Sequence, residues 1–219
     1  MATSVVEDYL KCILAEQQRS AELVSMGHIG VVLKVAPGTV TAMIKTLAES
    51  GLVAYEPYSG VRLTDAGLKL ATHVQRRHRL IELFLVEIVG LDWSEVHDEA
   101  ERLEHAVSER LIERIDLLLG HPSADPHGDP IPDRLGRSVE SSSASLLVCP
   151  LQSDVRVVRV ADQSPAFLQL LERRGLSVGS CLQVAERSEV GDSVELTIPD
   201  RAAFTLGFKA AAKVYVDEL

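Results

Sequence analysis

The sequence has few cysteines, and those it has lie far apart. Cys12, Cys149 and Cys181 are odd in number and show none of the paired spacing that zinc-binding cysteines have. Small secreted domains depend on dense disulfides, so three scattered cysteines exclude a disulfide framework. We therefore expect a protein of the reducing cytoplasm.

The sequence also lacks long hydrophobic runs. Its apolar stretches are far shorter than the roughly 18 to 20 residues that cross a bilayer. The N-terminus carries acids where a secretory signal would have a basic and then an apolar segment. These features predict a soluble cytoplasmic protein with no membrane partner.

Positive charge is scarce. Lys and Arg number 22 against 32 Asp and Glu, which gives a formal net charge of -10. Affinity for phosphate is largely set by Lys and Arg, so this balance argues against indiscriminate binding of nucleic acid. Local charge still matters, because several bases cluster in the first part of the chain. They are Lys34, Lys45, Arg62, Lys69, Arg76, Arg77 and Arg79. The acidic excess elsewhere suits divalent cations.

A helix-turn-helix is predicted in the first part of the chain. After a first helix from about Ser4 to Glu16, a second is expected near Ala21 to Lys34. Pro37 and Gly38 are expected to end that helix in a tight turn, and Thr39 to cap the next one. The alternative is a small helical bundle with no role in DNA binding.

Short side chains face outward on the first turns of the predicted recognition helix. Thr39, Thr41 and Ala42 would meet base edges in a major groove, and Lys45 would meet phosphate. The following stretch, LVAYEPYSGVRLT, alternates on both sides of a turn and predicts a hairpin that carries Arg62. A helix-turn-helix followed by a hairpin is a winged helix, and a bundle has no need of a basic wing. We therefore predict binding to double-stranded DNA through Pro37, Gly38, Thr39, Thr41, Ala42, Lys45 and Arg62.

One later stretch, HDEAERLEH, concentrates groups that can bind a metal ion. On a single helix, His97, Glu101, Glu104 and His105 would lie on one side, because their spacing is i, i+4, i+7 and i+8. The neighbouring apolar stripe places these donors at the edge of a core. An ordinary charged helix with i, i+4 ion pairs is the alternative.

Further donors accompany this stretch. His78 and Glu82 lie one turn apart on the preceding predicted helix, which Thr64 and Asp65 would begin. Asp125 and His127 lie in a proline-rich segment that cannot be helical. Asp162 precedes a later helix, where a cap or a turn is the alternative to a metal ligand.

The end of the chain predicts a separate small β domain. A serine-rich stretch, residues 137–146, is typical of a flexible linker. Residues 147–219 contain short apolar alternations and one helix, from Pro165 to Gly175, a pattern that favours a small barrel. We predict domains at 1–73, 74–136 and 147–219, joined by that linker.

These motifs, in this order, resemble the DtxR/MntR family of metal-dependent transcriptional repressors. The resemblance rests on RHRLIE, VHDEAERLEH and PHGDPIP, together with the winged helix before them and the barrel after them. It implies a mainly α fold in three parts: a winged helix-turn-helix, a helical dimerisation and metal-binding domain, and an SH3-like or FeoA-like C-terminal domain. It also implies a homodimer and a primary metal site at Asp8, Glu101, Glu104 and His105.

The donor types favour manganese. Iron-responsive members resemble this chain but carry sulfur donors at the positions of Asp8 and Glu101, and hard carboxylates suit Mn(II). Fe(II) is the alternative cofactor. Lys11 stands where some manganese members have a glutamate that helps to hold a paired ion, which leaves a second site to His78 and Glu82. His97, Asp125, His127 and Asp162 are further candidate ligands there.

The resulting hypothesis is a manganese-dependent repressor of metal-homeostasis genes that binds a palindromic operator as a metal-loaded dimer. The alternative from another class is a metal-dependent hydrolase, since His and acid clusters also activate water. No general base is identifiable for such an enzyme, and it would leave the winged helix unexplained, so we expect neither an enzyme nor a small-molecule substrate. A metal-independent DNA binder would bind its DNA equally well in the presence of a chelator.

Overall fold

A computed structural model describes residues 3–20, 22–138 and 142–219. The chain divides into two compact units. The first unit contains the chain up to His78 together with Pro132–Ser138. The second contains Arg79–Ile131 and the described residues from 142 onward.

The first unit consists of helices and one hairpin. Its elements are α1 (Ser4–Gln17), α2 (Met26–Val32), α3 (Pro37–Glu49), β1 (Val53–Glu56), β2 (Gly60–Leu63) and the part of α4 (Asp65–Phe84) up to His78. The predicted first helix is confirmed, and so is the start of α4, where the Thr64 hydroxyl accepts a hydrogen bond from the Gly67 amide.

Helix α2 is shorter than the sequence predicts. It begins at Met26 rather than near Ala21, a residue that lies outside the described part of the chain. The Ser25 hydroxyl caps the helix by accepting a hydrogen bond from the His28 amide. Just before it, Val24 pairs with Val61 of β2 in an antiparallel bridge, so the residues expected to extend the helix join the hairpin instead.

The start of α3 also differs from the prediction. Pro37 and Gly38 are the first residues of α3 and not a turn before it, which suits proline because the first helical amide needs no acceptor within the helix. The N-cap is Ala36, without a side-chain hydrogen bond. The expectation that Thr39 caps this helix is therefore wrong.

The core of the first unit joins the helices to the hairpin. Leu10 and Ile13 of α1 pack with Ile29 of α2, Ile44 of α3 and Val61 of β2, and all five are fully buried. β1 and β2 pair in antiparallel register from Val53–Leu63 to Glu56–Gly60, which confirms the predicted wing.

The second unit begins with helices. α4 runs on to Phe84 and ends in one π-helical turn (Leu85–Val89), followed by α5 (Val96–Leu103) and α6 (Glu109–Leu118). As predicted, Ser108 caps α6, and Gly120 follows its end with φ +74°. These elements share a small core around Leu80, Ile81 and Val96.

The rest of the second unit is a six-stranded antiparallel sheet with two short helices. Its elements are β3 (Ala144–Ser145), β4 (Asp154–Val160), α7 (Pro165–Arg173), β5 (Cys181–Ser188), β6 (Ser193–Thr197), β7 (Phe204–Gly207), α8 (Phe208–Ala211) and β8 (Val214–Glu218). The strand order is β3-β8-β4-β5-β6-β7. Its apolar core includes Val157, Leu168 and Val184.

The predicted domain boundaries remain predictions. Three residues of the predicted linker, 139–141, lie outside the described part of the chain, and its end at Ala144 and Ser145 forms β3. Among the described residues, no single helix is long and apolar enough to span a bilayer. Helices α2 and α3 meet that test only when taken together, and they are bent by 112°.

Candidate metal centre and nucleic-acid interface

Helix α3 presents one apolar face to the core and one short polar face to solvent. Val40, Ile44 and Leu47 are buried, whereas Lys45 is exposed. The 112° bend between α2 and α3 lies in the range of helix-turn-helix motifs. Helices α2 and α3 therefore have helix-turn-helix geometry, with α3 in the position of the recognition helix.

Most of the predicted DNA-contacting residues lie on the outer surface of α3 and the wing. Those exposed are Pro37, Gly38, Thr39, Ala42, Lys45 and Arg62, and Thr41 is half-buried. The Thr41 hydroxyl donates to the Pro37 carbonyl oxygen at 3.0 Å, which leaves its methyl group and oxygen lone pairs for other contacts. A Cβ at Gly38 would meet nothing within 4 Å, so this turn leaves room for a close approach.

Three ionisable side chains meet in the interior of the second unit. Glu82 of α4, Asp125 and His127 are 0%, 5% and 0% exposed. Each offers one metal-binding atom, and these atoms lie within 4.8 Å of one another. Burial of three such groups is costly unless they are paired or hold a metal ion. We call this set the buried cluster.

Backbone contacts fix which ring nitrogen of His127 faces the carboxylates. Nε2 lies 2.8 Å from the Trp93 carbonyl oxygen, an acceptor only, so Nε2 carries the hydrogen and donates it. Nδ1 lies 3.9 Å from Glu82 Oε2 and 4.0 Å from Asp125 Oδ1. In the neutral imidazole it holds a lone pair, which is the form that binds metals. The Trp93 ring stacks on the imidazole with centroids 5.8 Å apart.

Two atoms of the buried cluster have no hydrogen-bond partner among the described residues: Asp125 Oδ2 and His127 Nδ1. Asp125 Oδ1 accepts from the backbone amides of His127 and Asp129 at 2.8 and 3.0 Å. Arg79 Nε stands 3.7 Å from Asp125 Oδ2. Unsatisfied buried acceptors that converge on one point fit a divalent cation, because carboxylate oxygen and neutral imidazole are common ligands of such ions.

The electrostatics of the buried cluster point the same way. Burial raises the pKa of Asp125 well above its ordinary value, and the carboxylates of Glu82 and Asp129 raise it further. Arg79 and the Asp129 amide act in the opposite direction. Negative charge is therefore unfavourable in this site, and a bound cation would offset it as a bound proton does.

The segment that carries Asp125 and His127 is attached to β4. The His127 carbonyl accepts from the Val160 amide at 2.8 Å. Gly128 has φ +85°, and a Cβ there would lie 1.9 Å from the Val158 carbonyl oxygen. Asp129 accepts from Gln163 at 2.8 Å and pairs with Arg159 at 3.4 Å. No pattern in the sequence indicates this attachment, since its partners are far apart along the chain.

The donor stretch 97–105 differs from the single helical face that we predicted. α5 ends at Leu103, Glu104 is its C-cap, and His105 follows the helix. Ser108 caps the next helix so soon afterwards that the chain has to turn here. The assumption that one helix aligns all four donors is therefore wrong.

These donors form two pairs within the second unit. His97 Nδ1 lies 3.1 Å from Glu82 Oε1, and its Nε2 lies 3.8 Å from Glu101 Oε1. Glu104, which is fully buried, has Oε1 3.4 Å from His105 Nε2. The contact of His97 with Glu82 joins α5 to the helix that supplies the buried cluster.

The remaining predicted ligands are placed as follows. Asp8 lies on the second turn of α1 and His78 on α4, both in the first unit. Asp162 accepts hydrogen bonds from the Ser164 amide at 2.9 Å and from Lys213 at 2.6 Å. Among the described residues, it is not one of those whose ligand atoms meet in the buried cluster. Burial alone would raise the pKa of Asp162, but Lys213 and Ser164 lower it overall.

Family models match three successive parts of the chain. The model "Iron dependent repressor, N-terminal DNA binding domain" matches residues 1–61, and "Iron dependent repressor, metal binding and dimerisation domain" matches 64–133. The FeoA domain model matches 145–218. The iron-dependent repressor IdeR of Mycobacterium tuberculosis is 30% identical over 191 residues, which are 83% of this chain and 83% of that protein. The chain belongs to the DtxR family of metal-dependent, DNA-binding transcriptional repressors.

Other DtxR-family proteins are similar over most of the chain. The diphtheria toxin repressor of Corynebacterium diphtheriae is 34% identical over 177 residues, which are 72% of this chain and 77% of that protein. Among solved structures, a manganese-dependent transcriptional repressor in complex with manganese aligns with a TM-score of 0.88 and 40% identity, over 98% of this chain and 100% of that one. ScaR with bound Cd²⁺ aligns with a TM-score of 0.81 and 35% identity, over 98% and 99%.

Membership of the DtxR family confirms the resemblance read from the sequence and the predicted three-part fold class. It also confirms a transcriptional regulator rather than an enzyme, since the relatives are repressors. The DNA-binding and dimerisation models support double-stranded DNA and a second copy of the chain as partners.

Proposed function

We propose that this protein is a manganese-responsive repressor that binds a palindromic operator as a homodimer and controls genes of metal homeostasis. The observation that carries the choice of effector is the buried cluster, in which the side chains of Glu82 and Asp125 surround Nδ1 of His127. Oxygen-rich donor sets suit Mn(II), whereas thiolate and thioether donors favour softer ions. The manganese-dependent repressors among the structural neighbours support the same choice.

The ligands that we propose fall into two sets. Glu82, Asp125 and His127 would hold one ion in the buried cluster, with Asp162 as a candidate fourth ligand. The second set is Asp8 with Glu101, Glu104 and His105. His97, which lies close to Glu82 and Glu101, and His78, one helical turn before Glu82, are further candidate ligands. When bound, the ion supplies two positive charges that offset the repulsion between carboxylates.

The chain's own residues would carry out the reading of DNA. Thr39, Thr41 and Ala42 would contact base edges from the first turns of α3. Lys45 and Arg62 would contact phosphates, and each such contact adds to the salt dependence of binding. Pro37 and Gly38 lie at the N-terminus of α3, where little side chain separates the helix from a groove.

A homodimer gives the reading helix a partner. On α6, the leucines Leu111, Leu117 and Leu118 are 50%, 55% and 61% exposed, which supports an apolar contact with a second copy. Two-fold symmetry predicts half-sites about one helical turn, or a multiple of it, apart.

Iron is the second candidate effector, because the matched family models and IdeR are described as iron-dependent. Fe(II) is only slightly softer than Mn(II) and accepts the same oxygen and imidazole ligands. The two candidates therefore differ in the ion that activates DNA binding and not in the fold.

The test is DNA binding with each ion. Mn(II)-treated protein would first select duplexes from a random-sequence library. The affinity of the protein for a selected, labelled duplex would then be measured by fluorescence anisotropy in the presence of Mn(II), anaerobic Fe(II), Zn(II) or chelator. We expect Mn(II) to raise affinity roughly 5- to 150-fold over chelator, the usual range of allosteric coupling. Equal affinity with Mn(II) and with chelator would contradict the proposal, and activation by Fe(II) alone would favour the second candidate.

A pair of matched variants tests the ligand assignment. Glu104→Gln removes the charge of a fully buried carboxylate and should abolish the effect of Mn(II). Glu99→Gln removes the same charge from a half-buried residue that pairs with Arg102, and should leave the effect unchanged. If both variants respond to Mn(II) like the wild type, Glu104 is not a ligand.

A further inference from the structure

The buried cluster raises a question of access. Glu82 and His127 are fully buried and Asp125 is 5% exposed, so an ion cannot reach them from bulk solvent without a passage. One residue of the buried cluster borders a space: Asp125 lines a cavity of about 520 Å³ in the second unit. Its Oδ2 has no hydrogen-bond partner among the described residues.

The cavity lies against the buried cluster on more than one side. Leu83, which follows Glu82 on α4, lines it, and so does Trp93, which stacks on the His127 ring. The space is large enough for a hydrated ion, since six waters occupy on the order of 180 Å³ at roughly 30 Å³ each. The cavity therefore shares its wall with residues that belong to the buried cluster or adjoin it.

The charged residues of the cavity are unevenly balanced. Three acids line it, Glu87, Asp125 and Glu172, against one base, Arg201. Glu87, Glu172 and Arg201 are exposed, so they lie on the solvent side, whereas Asp125 is buried. Clefts with low-dielectric walls and an excess of one sign of charge raise the local concentration and arrival rate of the opposite ion by about 10- to 1,000-fold.

We propose that this cavity is the access route by which a hydrated divalent cation reaches the buried cluster, and that Glu87 and Glu172 speed its arrival without ligating it in the final site. This inference rests on the proposed metal binding by Glu82, Asp125 and His127. It goes beyond that function in assigning roles to two exposed carboxylates and to a cavity.

The protein carries its own reporter for this route. Trp93 is the single tryptophan of the chain and stacks on His127, so we expect its fluorescence to change when an ion enters the buried cluster. Stopped-flow mixing of the full-length protein with Mn(II) would measure the rate and the amplitude of the fluorescence change. The variant Asp125→Asn, which lacks one donor charge, identifies the phase that belongs to the buried cluster because that phase should disappear.

The rate test compares two double variants with the same net charge. Glu87→Gln/Glu172→Gln should slow the assigned phase at least about tenfold, the lower end of the steering range, and keep its full equilibrium amplitude. Glu49→Gln/Glu189→Gln removes two exposed carboxylates that do not line the cavity, and should change the rate less than about twofold. Added salt should reduce the difference between the two variants, because it screens exposed charges.

Three outcomes would overturn the inference, and they are distinguishable. Normal amplitude with equal rates in both double variants would overturn the access route alone. Lost amplitude in Glu87→Gln/Glu172→Gln would make those residues ligands and overturn their role as guides. If Asp125→Asn shows every fluorescence phase of the wild type, the buried cluster binds no metal. That outcome would overturn the proposed site and the route with it.

Discussion

The recognition helix and the buried cluster are stabilised in opposite ways. Helix α3 buries Val40, Ile44 and Leu47, and each such side chain stabilises the fold by about 1.5 to 3 kcal/mol. The buried cluster places two carboxylates and an imidazole where water cannot solvate them, which destabilises the fold unless a cation is present. The DNA-reading helix is therefore stabilised mainly by its apolar contacts, whereas the buried cluster gains most from an ion.

The largest effect is expected from the glycine that lets the cluster segment lie against β4. Gly128→Ala forces a side chain into a left-handed conformation and into the Val158 carbonyl oxygen, so it should lower the free energy of unfolding by about 3 kcal/mol. Urea unfolding measures this change. The matched control is Gly38→Ala in α3, where a Cβ meets open space and alanine should stabilise the helix by about 0.5 to 1 kcal/mol. Similar effects at the two glycines would remove the contrast between the regions.

An intermediate effect is expected from the ion itself. Free Mn(II) at 100 times the dissociation constant of the buried cluster should raise the free energy of unfolding by about 2.7 kcal/mol. Asp125→Asn should lose this increment, because the amide cannot supply the charge that the ion requires. Thermal unfolding with and without Mn(II) measures both values. Since the second proposed ligand set can also bind Mn(II), Asp125→Asn should lose the share that the buried cluster contributes, and an increment equal to that of the wild type would place the ion elsewhere.

Without metal, in the presence of a chelator, Asp125→Asn should be favourable instead: at higher pH its free energy of unfolding should exceed that of the wild type. The raised pKa of Asp125 means that the folded chain holds this proton more tightly than the unfolded chain does. The resulting stability is fully present below the ordinary value of 3.8 and is lost as the pH rises through the raised pKa. Asp125→Asn has no such group, so its metal-free stability should fall less with rising pH. A wild-type profile as flat as that of the variant would contradict this account.

The smallest effect is expected from a helix cap in the DNA-reading part. Ser25→Ala removes the hydroxyl that accepts from the His28 amide and should destabilise the protein by about 1 kcal/mol. The increment that Mn(II) adds should not change, since Ser25 belongs to the first unit and the buried cluster to the second. A loss of Mn(II) stabilisation in Ser25→Ala would show that the two regions are coupled.

Local patterns in the sequence predicted most of the elements. The wing from Val53 to Leu63, the Ser108 cap and the extent of α1 follow from alternation, capping and periodicity, which depend on residues a few positions apart. The errors arose where an adjacent element competed for the same residues. Val24 pairs with β2 instead of extending α2, and α5 ends at Leu103 because the chain turns before the Ser108 cap of α6.

By itself, the sequence determined the elements, the donor types and the family, because hydrogen bonding and periodicity act over short separations and motifs keep their order along the chain. Only the tertiary structure decided which donors meet. Glu82 joins Asp125 and His127 across more than forty residues, and a backbone carbonyl at Trp93 selects the nitrogen that faces them. Such encounters depend on how helices and strands pack, since the free energy of a buried charge is set by the atoms around it rather than by its neighbours in sequence.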